Sequence, residues 1–413
     1  MTYSETLDYL YHATPVFEHT GASAYKPGLE TTLALSHHWD NPHLKFMSIH
    51  VAGSNGKGSV AHSIAAILQT AGYKVGLFTS PHLVDFRERI RINGEPVSES
   101  FVTGFVKEFI GWNASLADKH SPSFFELTTI MAFSHFAQEK VDVAVVEVGL
   151  GGRLDSTNII TPILSVITNI SYDHQQLLGN TLTQIASEKA GIIKPCVPVV
   201  IGERLDETAE VFTNKASEVS APLYFADDFT PDSEYEFELK GYYQERNLRT
   251  ILCAINNVPL HIDDKEKVIR EALTNVCELT GLKGRWQTLQ EKPRVVCDTG
   301  HNVAAWEYLS RQIAEQECDT LRIVFGMVDD KDISSVMELL PQNAEYYFTQ
   351  ATTHRALPSE TILKIGREHH LRGRKFNTVS EAYTQALADS TGKDFIFIGG
   401  SSYIVADLLT FLA

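Results

Sequence analysis

The stretch His50 to Ser59, His-Val-Ala-Gly-Ser-Asn-Gly-Lys-Gly-Ser, follows an apolar run at Phe46 to Ile49 and leads into a helical pattern at Val60. A strand that ends in glycines and turns at once into a helix commits this part of the chain to an α/β layer. Gly53, Gly56 and Gly58 are expected to let the backbone turn with positive φ, so that successive N–H groups face an anion. The helix starting near Ser59 adds the positive end of its dipole. Lys57 is placed to reach the β- and γ-phosphates of a nucleotide, and the Ser59 hydroxyl to ligand Mg²⁺. The spacing is unusual for a phosphate loop. Only two residues separate Gly53 from Gly56, and Gly58 stands between Lys57 and Ser59.

At 413 residues the chain exceeds one typical domain, so two domains of unequal size are expected. The change falls near Gly281-Leu282-Lys283-Gly284, which gives an ATP-binding domain over 1–282 and a smaller domain over 283–413. A formal charge of −17 argues against a protein built to hold nucleic acid or an anionic membrane electrostatically. An anionic substrate would instead need local Lys and Arg or a metal ion. Five scattered cysteines without a Cys-x-x-Cys pair fit a reduced compartment, and no apolar run reaches membrane-spanning length. A cytoplasmic monomer is the expectation.

Five apolar, β-branched runs, Phe46 to Val51, Val75 to Phe78, Val141 to Val148, Ile163 to Ile167 and Val197 to Ile201, alternate with amphipathic stretches. Such runs suit strands covered on both faces, which predicts a mainly parallel sheet. Tyr224 to Tyr243 alternates at Tyr235, Phe237 and Leu239 and predicts a short antiparallel excursion; helices are expected over Asn247 to Asn256 and Lys265 to Leu279. A second series follows, with strands at Arg294 to Cys297, Leu321 to Phe325, Glu345 to Phe348 and Phe395 to Ile398 separated by helical patterns. It reads as a doubly wound α/β unit. Asp330-Lys331-Asp332 reads as a solvated turn.

Polar residues cluster after the predicted strands, where open α/β sheets place ligands. Ser80 follows Val75 to Phe78, either as a Ser-Pro turn or as a ligand. Glu147 lies near the end of a buried strand and needs a metal or a partner, with Mg²⁺ and Arg153 as the alternatives. His174, beside Asp173, also follows a strand. Lys189 falls on the apolar stripe of the helix Leu182 to Ile193. It either snorkels or is buried with a depressed pKa, in which case its neutral amine can take up CO₂ as an anionic carbamate able to ligand Mg²⁺. Asn247 at a helix start, Arg285 at the proposed linker and Asp298-Thr299-Gly300-His301-Asn302 after a strand complete the set. Arg285 suits a phosphate clamp, and Asp298 suits a ribose.

Together these motifs resemble the folylpolyglutamate synthase and dihydrofolate synthase family, which belongs with the Mur ligases. The most specific parts are Gly53-Ser54-Asn55-Gly56-Lys57-Gly58-Ser59, Gly149-Leu150-Gly151-Gly152-Arg153-Leu154-Asp155, Glu188-Lys189-Ala190-Gly191-Ile192, and Asp298 with His301-Asn302. The resemblance implies an ATP-dependent ligase that joins the amine of L-glutamate to a dihydropteroate or tetrahydrofolate carboxylate through an acyl phosphate. It implies that Asn55, Gly56, Lys57, Gly58 and Ser59 hold the ATP phosphates, and that Ser59, Ser80, Glu147 and His174 surround Mg²⁺. Lys189 matches a lysine carbamylated in the family. Asn247, Arg285 and Asp298 would contact the nucleotide, and Lys57, Lys189, His174 and His301 would serve catalysis. Gly28, Leu29 and Glu30, Ser123, Phe124, Phe125 and Glu126, and Arg153, Leu154 and Asp155 match positions near the pterin substrate. A Mur-type ligase acting on another carboxylate and a non-ligating ATP-dependent switch are the alternatives.

Overall fold

The computed structural model describes residues 1–12, 14, 28–329 and 332–413. Residues 330 and 331 of the turn expected at Asp330-Lys331-Asp332 lie outside the described residues. The chain divides into two compact units, Met1–Glu238 with Arg246–Leu282, and Leu239–Glu245 with Lys283–Ala413.

The first unit is built on an eight-stranded sheet. Its strands are β1 (Met47–Ala52), β2 (Val75–Phe78), β3 (Ile90–Ile92), β4 (Glu95–Pro96), β5 (Val143–Glu147), β6 (Leu164–Ile167), β7 (Val199–Ile201) and β8 (Leu223–Phe225). Their order is β4-β3-β2-β5-β1-β6-β7-β8. All neighbours are parallel except β2 with β3 and β3 with β4. The five apolar runs form β1, β2, β5, β6 and β7, whose valines and isoleucines are covered on both faces as a parallel sheet requires. Register then fixes where their ends fall. Val51 pairs with Glu147 and Ala52 with Ile167, so β1, β5 and β6 end together and their following loops share one sheet edge.

The helix Lys57–Thr70 is buried from Ser59 to Leu68. Its Ala61, Ser63, Ala65 and Ala66 let it approach β1, β2 and β5 closely while the helix Lys265–Leu273 covers it. One side of the unit is rich in aromatic rings, including Phe78, Phe105, Phe109, Phe133 and Phe136. The β6–β7 side is largely aliphatic, around Ile167, Ile185, Ile192 and Ile201.

Two expectations are corrected here. Within 224–243, β8 pairs in parallel with β7, and no antiparallel ladder forms among the described residues. The alternation instead marks an extended strap over the helix Lys265–Leu273. The Tyr235 ring lies under Arg270 with its hydroxyl on Glu266, and the Glu238 N–H donates to the Leu273 carbonyl. The helix expected over Lys265–Leu279 is split into Lys265–Leu273 and Val276–Thr280. Thr274 and Asn275 turn their side chains back onto the carbonyls of Arg270 and Glu271, a local alternative to continuing the helix.

The second unit is a six-stranded sheet of β9 (Gln287–Glu291), β10 (Arg294–Asp298), β11 (Leu321–Phe325), β12 (Glu345–Phe348), β13 (Arg372–Lys375) and β14 (Phe395–Gly399). The order is β13-β12-β11-β14-β10-β9, parallel apart from the antiparallel edge β9. Trp306 is fully buried and meets Phe325 and Phe397 edge-on, with ring centroids 5.5 and 5.7 Å away. Helices lie at Val303–Ala314, Ile333–Leu339, Ser359–Glu368, Val379–Ala388 and Ser402–Leu412.

Candidate active site

The loop after β1 is shaped by two of its three glycines. Gly53 has φ 149°, and a Cβ there would lie 1.8 Å from Thr168 Oγ1. Gly56 caps the helix Lys57–Thr70 with φ 84°, and a Cβ there would lie 2.4 Å from Asn247 Oδ1. The third expectation is corrected. Gly58 lies inside the first helical turn and is not among the positive-φ glycines.

This loop is fastened to the segment after β6. The N–H of Ser54 donates to the Asn169 carbonyl at 3.0 Å, and that of Asn55 to Asn169 Oδ1 at 2.8 Å. Ser54 Oγ donates to the Ser171 carbonyl at 3.0 Å and accepts from the Ser171 N–H at 3.0 Å. The first intrahelical bond runs from the Val60 N–H to the Gly56 carbonyl, so the N–H groups of Lys57, Gly58 and Ser59 precede the helical ladder. They lie at the positive end of the helix, the place where an anion is favoured.

Two lysines converge on one oxygen. Lys57 Nζ donates to the Gly53 carbonyl at 3.0 Å and to that of Ser54 at 3.2 Å, while Lys189 Nζ donates to the Gly53 carbonyl at 2.9 Å. Lys189 is only 3% exposed, so it does not snorkel. Burial, and then the Lys57 cation, push its pKa down to about 7; Asp173 and Asp155 oppose the shift. A lysine that is largely neutral near physiological pH is a nucleophile.

Glu147 closes β5 and is buried; its carboxylate accepts the Ser80 N–H at 3.1 Å. Arg153, the structural alternative for this carboxylate, forms an ion pair with Glu188 at 2.8 Å. His174 adopts a left-handed conformation, with Nε2 3.6 Å from Asp173 Oδ2. Among the described residues, no group of three or more His, Cys, Asp or Glu side chains gathers as a metal cage. Of the residues expected around Mg²⁺, Glu147 and Ser80 are brought together by the bond from the Ser80 N–H; a single buried carboxylate fits an ion that keeps water and phosphate oxygens in its shell.

Three remote stretches meet beside this edge. Ser123 and Glu126 form a capping box at the helix Phe124–Gln138: the Glu126 N–H donates to Ser123 Oγ at 3.2 Å, and the Ser123 N–H to the Glu126 carboxylate at 2.7 Å. Thr32, on the helix Glu30–His38 that follows Gly28 and Leu29, donates to Glu126 at 3.4 Å. Phe125 lies over Gly149, where a Cβ would come within 2.5 Å of the ring. Phe124 is buried against Tyr11, with ring centroids 5.6 Å apart. Asp155 is buried and accepts the N–H groups of Leu150 at 2.8 Å and Thr157 at 3.0 Å, together with the Thr157 hydroxyl. It therefore ties the glycine-rich loop to its own base. Behind it, His50 Nε2 meets Thr157 Oγ1 at 2.8 Å, and burial pushes the His50 pKa down to about 3. Arg153 is the exposed member of this loop, and Leu154 is half-buried.

Arg285, Asp298 and His301 belong to the second unit and form their own cluster at the end of β10. Asp298 is 1% exposed and accepts from the Tyr243 hydroxyl at 2.7 Å, the Trp286 N–H at 2.7 Å and the Gly300 N–H at 2.8 Å. Burial raises its pKa, against the pull of Arg285 and these donors. His301 Nδ1 lies 3.1 Å from the Thr299 carbonyl, and Asn302 caps the helix Val303–Ala314. Tyr243 and Asn169 are the principal site residues that sequence reasoning did not single out. Asn169 shares the strand-end position that drew attention to His174, whereas Tyr243 carries no local signal.

Known proteins place this arrangement. Residues 51–262 match the Mur ligase middle domain, and residues 284–402 match the Mur ligase glutamate ligase domain. A folylpolyglutamate synthase from Lacticaseibacillus casei is 32% identical over 438 residues, covering 98% of this chain and 97% of that protein. A dihydrofolate synthase/folylpolyglutamate synthase from Bacillus subtilis is 32% identical over 93% of this chain and 94% of its own length. Among solved structures, E. coli FolC in complex with DHPP and ADP superposes with a TM-score of 0.87 at 29% identity, covering 100% of this chain and 98% of that one. The bifunctional enzyme from Yersinia pestis, complexed with AMPPNP and Mn ion, gives 0.86 at 30% identity, with 100% and 98% coverage. The order of motifs, the two sheets and these likenesses agree: the chain belongs to the folylpolyglutamate synthase and dihydrofolate synthase family of the Mur ligases.

Proposed function

We infer that this protein is an ATP-dependent ligase of folate metabolism that adds L-glutamate to dihydropteroate, to tetrahydrofolate or to both. The observation that carries the reading is the shared sheet edge. There a phosphate loop, a buried carboxylate and a buried, pKa-depressed lysine lie beside the converging segments Gly28–Glu30, Ser123–Glu126 and Arg153–Asp155. These last three segments are assigned to the pterin substrate. ATP binding is assigned to a domain over 1–282 and ligation to one over 283–413, although Leu239–Glu245 pack in the second unit. The protein is taken to act as a cytoplasmic monomer without nucleic acid; no helix among the described residues is long and apolar enough to cross a membrane.

ATP phosphorylates the substrate carboxylate with release of ADP, and the glutamate amine then attacks the acyl carbon, giving a tetrahedral intermediate that loses a proton and expels inorganic phosphate to leave the amide. Phosphoryl transfer between two anions is limited by charge repulsion, so the residues that matter are those that neutralise and align. Asn55 to Ser59 cradle the phosphates through backbone N–H groups, and Lys57 leaves the Gly53 carbonyl for the phosphate oxygens. Ser59, Ser80, Glu147 and His174 would hold Mg²⁺, which when bound offsets the phosphate charge. Lys189, carbamylated, presents an anion in place of a buried cation. Asn247, Arg285 and Asp298 are assigned to the nucleotide, with Asp298 also ordering the Arg285–Trp286 turn. His301 is assigned to the catalytic group of the second unit.

The test is phosphate release with ATP and Mg²⁺ while glutamate, dihydropteroate and tetrahydrofolate are withheld in turn. Release should require glutamate and at least one of the two pterin substrates. Release independent of all three would overturn the ligase reading in favour of a nucleotide switch.

A further inference from the structure

Two segments that flank the site, Gly149–Asp155 and Glu188–Ile192, touch along their backbones. The Arg153 N–H donates to the Glu188 carbonyl at 2.8 Å, and the Arg153 guanidinium reaches the Glu188 carboxylate at 2.8 Å. A Cβ at Gly152 would stand 2.9 Å from the Glu188 carbonyl oxygen and 3.1 Å from Lys189 Cα. One at Gly191 would stand 2.4 Å from Arg153 Cα. Glycine at both positions is what allows the loop and the helix end to meet.

Asn158 closes the contact. It sits on the single 3₁₀ turn Ser156–Ile159 that Asp155 caps, and its N–H donates to the Asp155 carbonyl at 2.8 Å. Its side-chain Nδ2 donates to the Arg153 carbonyl at 3.0 Å and to the Gly191 carbonyl at 3.1 Å. Both acceptors are carbonyls, so only the NH₂ edge of the amide fits there. Lys194 Nζ holds the Asn158 carbonyl at 3.0 Å. The side chain is buried, and its Oδ1 is left without a hydrogen-bond partner. No other side chain of this size supplies two donors to two carbonyls on two segments.

We propose that Asn158 is a positioning residue that makes the Gly149–Asp155 loop and the Lys189 end of the helix Leu182–Ala190 one rigid piece. Seating of the acceptor substrate on the loop is thereby linked to the height at which Lys189 meets the phosphate loop. Asn158 acts through Arg153 and Gly191, whose carbonyls its side chain holds. The assignment of the loop to the acceptor rests on the ligase reading above. Besides its bond to Lys189, the nucleotide cradle has its own ties to Asn169 and Ser171, so the effect should fall mainly on the acceptor.

The experiment compares wild type with Asn158→Leu, which keeps the branching at Cγ and removes both donors, and Asn158→Ser, which keeps one. ADP affinity, acceptor KM, kcat and melting temperature are measured, with assays well below the transition. In Asn158→Leu the acceptor KM should rise at least tenfold and kcat should fall, with ADP Kd within twofold of wild type; Asn158→Ser should lie between. Where the leucine variant does not fold, the serine variant decides on the same readouts. Wild-type KM and kcat in a folded variant, even one with a lowered melting temperature, would overturn the proposal and leave Asn158 a stabilising residue. Equal losses in ADP and acceptor binding would overturn it as well. Failure of wild type to ligate glutamate would sink the ligase reading instead, and the wild-type assay shows this before any variant is made.

Discussion

Lys189 shows how one residue's surroundings set its chemistry. Its amine is held at about pKa 7 by burial and by Lys57, against an ordinary 10.5. Between those values the unfolded chain binds a proton that the folded protein does not, so folding stability rises with pH across that window. Below about pH 7 the folded protein must carry a buried charge, and the penalty is largest. In CO₂-free buffer the melting temperature of wild type relative to Lys189→Met should therefore increase from about pH 7 to about pH 10. A gap independent of pH would show that the amine is not held neutral. Lys189→Ala should lower turnover by roughly 10²-fold or more, as loss of an electrostatic group at a charge-transfer site does. Added short carboxylic acids should restore part of that rate if a carbamate is used; an undiminished rate in the variant would remove Lys189 from the mechanism. The sequence signal for this residue was legible because a lysine on an apolar helical stripe is locally anomalous. Asn158 and Tyr243 were not legible, since each acts through partners remote in the chain or through backbone carbonyls, and neither breaks a local pattern.

Among the elements, the link between β1, its loop and the helix Lys57–Thr70 is the most demanding. Gly53 combines φ 149° with a site where a Cβ would fall 1.8 Å from Thr168 Oγ1. Gly53→Ala should displace the loop from the β6 side and weaken ATP affinity at least tenfold, as titration with a fluorescent ATP analogue would show. Unchanged affinity would mean that the loop's shape does not depend on this packing. At the helix Phe124–Gln138, Ser123→Ala removes one half of the capping box and should cost about 1 kcal/mol in denaturant unfolding. A cost near zero would show that packing of Phe124 and Phe125 alone sets the helix start. The central strands were legible because their residues are apolar on both faces. The edge strands β9, Gln-Thr-Leu-Gln-Glu, and β13, Arg-Gly-Arg-Lys, were not, because a strand partly open to water needs no apolar run. The strap at 224–243 misled for a related reason: period-two alternation reports an extended chain with one buried side, whether or not a ladder forms.

At the scale of the whole molecule, each unit has its own sheet and core, but the second is assembled from two pieces of chain. Tyr243, from the segment Leu239–Glu245, packs against the core that includes Trp286 and gives Asp298 one of its three hydrogen bonds. Tyr243→Phe leaves that buried carboxylate short of a donor and should destabilise the second unit by about 1–3 kcal/mol. Hydrogen exchange should then quicken in β10 more than in β1; equal protection in both strands would show that the bond is dispensable. Position in the sequence therefore does not mark the end of one unit and the beginning of the next. For anyone recombining relatives of this protein, the exchangeable block is not the carboxyl-terminal third alone. A chimera that grafts residues 283–413 onto a foreign partner without residues 239–245 from the same parent joins an aromatic donor and its carboxylate from different lineages. Such hybrids should express well only where both pieces travel together.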